Sequence, residues 1–206
     1  MKKVFLLLIL SGIAALSASA ADDLRILATK IASSRVSFSY VYETARDGFV
    51  MKGGGNAVVQ GDAFRMEGNG LEIVSDGTTR WTADAEAREL FIEPVDRSAV
   101  DFVSNPARLL ANIDAAFTPV DAGESKFRGR VVQCYILSPA DEGTGIRKLR
   151  LYFANRTLVG AAFILKDGSE TEFMISDMVF DAPGPASDFR FDEKKTDNGW
   201  VVTDLR

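Results

Sequence analysis

From Val36 the chain alternates, with Val36, Phe38, Tyr40 and Tyr42 apolar against Ser37 and Ser39. A period of two marks a strand buried on one side. Just before it, Leu24, Leu27, Ala28 and Ile31 recur at helical spacing, behind Asp22 and Asp23. That spacing predicts a short amphipathic helix whose first turn carries the negative charge a helix N-terminus favours. After the first strand come the runs 49–60, 63–67, 71–75, 78–83 and 89–95, divided by Asp47-Gly48, Gly61-Asp62, Asn69-Gly70 and Asp76-Gly77. These pairs tolerate the positive φ of tight turns, so the runs predict successive hairpins. No space remains for crossover helices, which makes the sheet an antiparallel meander.

Past Pro94 the period becomes helical again. Asn105 can cap and Pro106 can begin a helix, with Leu109, Leu110, Ile113 and Phe117 on one stripe. Strands then resume at 131–137, 148–153, 158–165 and 170–180, with a last one around 200–203. In the run 170–180, Phe173 and Ile175 share a phase that Met178 and Phe180 do not. A slip of one residue predicts a bulge near Ser176-Asp177. About ten strands and two amphipathic helices make a mainly β fold, a strongly curved sheet with a helical cover. Such a sheet can be filled by its own side chains or can leave a cavity.

The first residues bear on location. Lys2 and Lys3 precede the apolar run Val4 to Ile13, and Ala18-Ser19-Ala20 offers small residues for cleavage. That order predicts a secretory leader over 1–20, cut after Ala20, with 21–206 as one domain. Ala21, not Cys, follows the cut, so the released chain is expected to carry no lipid anchor of its own. The sequence holds 24 lysines and arginines against 29 acids, for a net charge of −5, and cleavage would remove two of the lysines. An acidic balance without a basic tract argues against nucleic acid as a partner.

Cys134 is the one cysteine and histidine is absent. An internal disulfide is therefore impossible, and Cys134, within the apolar stretch 131–137, reads as a small buried hydrophobe. Without histidine there is no usual general base and no imidazole metal ligand. A Ser–Lys dyad has no spacing that singles it out. Gly53-Gly54-Gly55 is followed by a strand pattern rather than a helix, so it reads as a bent strand and not a phosphate loop. Asp84, Glu86 and Glu89 cluster around a turn, where solvated acids are commoner than a glycosidase pair. Asp76, Asp96 and Asp101 lack calcium-loop spacing. Asn155-Arg156-Thr157 is a sequon placed where a hairpin turn is expected. No catalytic residue, metal site or cofactor is expected.

The segment Phe64-Arg65-Met66-Glu67, followed by Val74-Ser75-Asp76-Gly77-Thr78-Thr79-Arg80-Trp81, resembles the LolA family of periplasmic lipoprotein carriers. Members have a Phe-Arg-Trp/Met strand and then a Ser-Asp-Gly-x-x-x-Trp hairpin. The resemblance extends over most of the chain, to the helix near Pro106 and to Phe189-Arg190-Phe191 as the closing Phe-x-Phe. Met66 stands where Trp is common.

The resemblance implies a half-open antiparallel β-barrel with short helices closing an apolar cavity. It implies a monomeric carrier that takes acylated lipoproteins from an inner-membrane ABC transporter to the outer membrane, in some bacteria through a receptor of similar fold. Arg65 matches an inward arginine that holds the lid closed, so Arg65→Leu is expected to leave the fold intact and stall cargo release. Alternation puts Arg65 opposite Phe64 and Met66, so if Arg65 faces the cavity those two pack on the other side of the sheet. The residues expected to line the cavity are Phe38, Tyr40, Leu71, Ile73, Trp81, Leu109, Ile113, Leu151, Phe153, Ile164 and Phe173. The alternative is a periplasmic sensor module that binds mislocalised lipoproteins, and a lipid-directed envelope enzyme ranks behind both.

Overall fold

The computed structural model describes residues 22–95, 112–196 and 199–206. The leader 1–20, Ala21, Asp96, Asp101 and the helix expected around Asn105 to Leu110 lie outside the described residues. A helix, α1, occupies residues 22–33. Among the described residues twelve strands follow: β1 (Arg35–Arg46), β2 (Phe49–Gln60), β3 (Ala63–Gly68), β4 (Leu71–Ser75), β5 (Thr79–Asp84) and β6 (Glu89–Pro94). After a single helical turn, α2 (Ile113–Ala116), come β7 (Phe117–Phe127), β8 (Arg130–Pro139), β9 (Ile146–Ala154), β10 (Thr157–Leu165), β11 (Glu170–Asp181) and β12 (Val201–Asp204).

All twelve belong to one curved, unclosed sheet in the order β12-β6-β5-β4-β3-β2-β1-β11-β10-β9-β8-β7. Two meanders, β1 to β6 and β7 to β11, meet where β1 pairs with β11. The expected mainly β, half-open architecture is what forms. Turn chemistry explains the register. Asp47-Gly48 and Asn69-Gly70 all have positive φ, the backbone of two-residue hairpins whose twist matches the strands. The sequon Asn155-Arg156 is such a turn as well.

Two expectations need correction. Phe117 starts β7 instead of ending a helix, and β7 is a full strand of 11 residues that the pattern left unread. Its interior holds Pro119 and Gly123, residues that normally argue against a strand. They are tolerated because β7 is an edge strand, and the register with β8 shifts between Asp121 and Gly123. Second, β12 pairs with β6 in parallel, so the sheet is not wholly antiparallel. Parallel neighbours need a long connection, and more than a hundred residues separate β6 from β12.

The bulge forms where the phase slip placed it. Ser37 faces Val179 and Ser39 faces Ser176, so β11 holds one extra residue, and Asp177 there has a φ of 54°. The bulge returns Met178 and Phe180 to the same cluster as Phe173 and Ile175. The Gly53-Gly54-Gly55 run also lies inside a strand, β2. A Cβ on Gly55 would sit 2.0 Å from the Glu67 carbonyl oxygen, so only glycine allows this approach of β2 and β3.

The main core lies on the concave face, where Leu24, Leu27, Ala28 and Ile31 of α1 pack on the strands. On the convex face, Val74, Trp81, Ala83, Leu90 and Ile92 are covered by Phe191 and Trp200 from the tail. A third cluster, also convex, stacks Phe127 on Tyr152 with ring centroids 4.3 Å apart, beside Cys134 and Ala162. Cys134 is buried there, and desolvation raises its thiol pKa.

Candidate functional site: an apolar cavity on the concave face

Residues directly opposite one another in a sheet share a face. One row across the concave side therefore reads Tyr135, Leu151, Ala161, Phe173, Tyr42 and Gly53. The next reads Leu137, Leu149, Phe163, Thr171, Thr44 and Met51. These rows are apolar in their β8–β10 half and do not fill the space they enclose. A narrow apolar pocket of about 40 Å³ lies deep, beneath Ile31 of α1 and Ile113 of α2. It shares Tyr40, Met66, Phe163 and Phe173 with an open cavity of about 830 Å³. That volume falls in the range of ligand pockets, roughly 300–1,000 Å³. Its mouth carries the polar groups, among them Thr44, Asn69, Asp141, Thr144 and Thr171. The hydroxyls of Thr44 and Thr171 hydrogen-bond across β1 and β11 at 2.9 Å.

An aromatic wall borders the space. Tyr40 and Tyr42 stack at 6.5 Å, and Phe173 lies 5.9 Å from Tyr42 and 5.8 Å from Phe163. Burial pushes the Tyr40 hydroxyl pKa up, and neighbouring Tyr42 adds to the effect. The hydroxyl therefore stays neutral and presents no charge to an apolar guest. Gly53 lies under Tyr42, and a Cβ there would come within 2.7 Å of the ring.

Of the residues expected at the cavity, Phe38, Tyr40, Leu71, Ile73, Ile113, Leu151 and Phe173 line it. Phe153 joins the concave core but not the cavity wall, packing edge-on against Tyr135. Leu109 lies outside the described residues. Ile164 pairs with Lys148 on the outer face, and its neighbour Phe163 is the one turned inward. The run 158–165 is apolar on both faces, so alternation could not choose between the two. Trp81 faces outward too, in the core beneath the tail, where its indole donates to Glu193 at 3.2 Å.

Arg65 is also corrected. It lies opposite Val74 and so shares the outward face of Trp81, while Phe64 and Met66 turn to the concave core. Its guanidinium pairs with Glu72 and donates to the carbonyls of Asp188 and Arg190, at 3.0 and 3.2 Å. Arg65 therefore grips the tail, and Gln60 does the same through a two-way amide bond to Gly184. Lining residues that went unread include Met66, Phe163, Ile175 and Met178. The alternation that turned Met66 away from Arg65, and the phase slip before Met178, were the signals for two of them.

The sequence matches the family model of the outer membrane lipoprotein carrier protein LolA over residues 43–192. The chain belongs to the LolA family. The matched segment runs from within β1 to the tail, and so includes most of the strand wall of the cavity. No curated protein matches the chain significantly in sequence. Among solved structures, an uncharacterized conserved protein from Thermus thermophilus is 12% identical, with a TM-score of 0.55, covering 89% of this chain and 98% of its own. At that identity the likeness is one of fold. A LolA superfamily protein from Nitrosomonas europaea is 14% identical at a TM-score of 0.44, covering 84% of this LolA-family chain and 98% of its own. The Mycobacterium tuberculosis lipoprotein LppX is 11% identical at 0.45, covering 82% and 98%.

Proposed function

We propose that this protein is a periplasmic carrier that shields the acyl chains of lipoproteins in its concave cavity between the inner and outer membranes. The observation that carries this reading is the cavity itself, about 830 Å³ of open space running into an apolar interior. In this reading the leader 1–20 exports the chain, residues 21–206 act as one domain, and the work is binding without catalysis or cofactor. An inner-membrane ABC transporter loads the carrier, and an outer-membrane receptor of similar fold unloads it where one exists.

Magnitudes favour a cargo with several chains. Ten methylenes moved out of water contribute on the order of 8 kcal/mol, while association costs about 4–15 kcal/mol. One short chain is therefore held marginally, and two or three are held through a transit.

The test is native mass spectrometry of the mature protein, purified from the periplasm and mixed with a tri-acylated lipoprotein. A one-to-one complex that survives dilution, and is lost when the acyl groups are removed, is the expected result. Binding that persists without the acyl groups, or no complex at all, would overturn the carrier reading.

A further inference from the structure

Beyond the polar mouth of the cavity, the concave face of β2 carries large apolar side chains again. Met51 lies opposite Thr44 and Phe49 opposite Arg46, two residues apart on the same face. Met51 belongs to the cavity wall yet is 59% exposed, and Phe49, at the hairpin tip, is 81% exposed. Val50 between them is 55% exposed. The fold has no use for three large apolar side chains here. The turn needs only the positive φ of Asp47 and Gly48, and none of the three belongs to a hydrophobic cluster. Leu71, which follows the Asn69-Gly70 turn, is another cavity-wall residue that reaches solvent.

We propose that the β1–β2 tip is a bilayer contact, which seats the cavity mouth on a membrane so that an acyl chain passes between lipid and cavity over Phe49 and Met51. The proposal rests on the carrier reading above. Continuity is the first argument: Phe49 extends the line of the cavity wall, and a chain sliding along it exposes little of itself to water. Size is the second. A stable protein interface buries about 800 Å² on each partner, far more than three side chains supply, whereas an interfacial anchor needs only a few apolar groups.

Charge decides which bilayer. Arg46 is paired with Asp47 and Asp167, at 3.5 and 3.2 Å, and Lys52 with Glu43 at 3.1 Å. The tip therefore presents no uncompensated positive field, and the chain as a whole is acidic. Its lipid is zwitterionic, and its binding depends weakly on salt.

The experiment uses the full mature chain and vesicles of phosphatidylethanolamine and phosphatidylcholine. It compares wild type with the double variant Phe49→Ser, Val50→Ser, which leaves the cavity wall untouched. Three quantities are read: co-flotation with vesicles, the rate at which a pyrene-labelled fatty acid moves from vesicle to protein, and the equilibrium affinity for that fatty acid in solution. The variant should bind vesicles at least tenfold more weakly and extract the probe at least fivefold more slowly, with solution affinity unchanged within twofold. The proposal falls if wild type ignores protein-free vesicles, as a tip made for a protein partner would. It falls equally if the substitutions change nothing, or if binding needs anionic lipid and disappears in salt. Failure of both proteins to take up the fatty acid would count against the carrier reading, while flotation would still decide the role of the tip.

Discussion

The two faces of the sheet are made by the same strands and finished in opposite ways. On the convex side of β3 to β6, the tail lays Phe191 and Trp200 over Trp81, and the space is closed. On the concave side, among the described residues, α1 and α2 cover the deep end and about 830 Å³ stays open. In β3, Arg65 serves the closed face and Met66 the open one, a single residue apart. The comparison teaches that apolar content does not distinguish a packed core from an open cavity. What distinguishes them is whether another part of the chain arrives to fill the space.

Truncation should separate the faces most sharply. Trp81→Ala removes a ring that is 1% exposed and leaves a sealed void, which should cost about 3–5 kcal/mol. Phe173→Ala, whose ring already borders open space, should cost about 1–2 kcal/mol from lost burial alone. Urea unfolding of both variants measures the difference, and equal losses would mean the concave side is packed as a core. Next in size is Arg65→Leu. It leaves Glu72 with Lys195 alone and strands two carbonyls beneath the tail, and should cost about 2 kcal/mol. Limited proteolysis should then cut within 182–196 faster, while solution affinity for an acyl probe stays the same. A loss of affinity with an intact tail would give Arg65 back to the cavity.

A smaller effect is expected from filling the open side. Ile73→Trp places a bulky ring in the cavity and should shift stability by less than about 1 kcal/mol. Displacing about two methylenes of guest should lower acyl-probe affinity roughly tenfold in a fluorescence titration. The smallest effect is at the end of the tail. Hydrogen bonds from Arg206 hold the Asp204 carboxyl down to about 2, against an ordinary value of 3.8. A depressed value means that its contribution is complete above the ordinary value and fades as pH falls towards 2. Exposure to solvent keeps it slight. An NMR titration of the Asp204 carboxyl reads it directly, and a midpoint at the ordinary value would show that the end of β12 is not held.

Local pattern made most of this fold legible. Alternation with Gly-containing turns marked the meander, and the break in phase between Ile175 and Met178 marked the bulge. β7 was hidden because Pro119 and Gly123 interrupt it and its turn begins at Arg128, a non-glycine residue with a φ of 48°. Site residues were readable where a strand is apolar on one side only, as with Phe38 and Tyr40. Ile164 and Phe163 could not be told apart because both faces of β10 are buried. Trp81 and Arg65 were assigned to the cavity because the segment that buries one and binds the other lies more than 100 residues later. No periodicity within β3 or β5 carries that information.

The position of β1 has a consequence for how the protein is made. β1 lies mid-sheet between β2 and β11, so its second partner comes more than a hundred residues after it in the chain. A protein delivered from its N-terminus can zip β1 to β6 at once, by local pairing. The remaining edge of β1 must then wait, unpaired, until β11 emerges. Such distant closures are slow, and waiting edges invite pairing with other chains. Assembly therefore proceeds as two sheets that join late at one seam. The concave cavity exists only after that seam has shut.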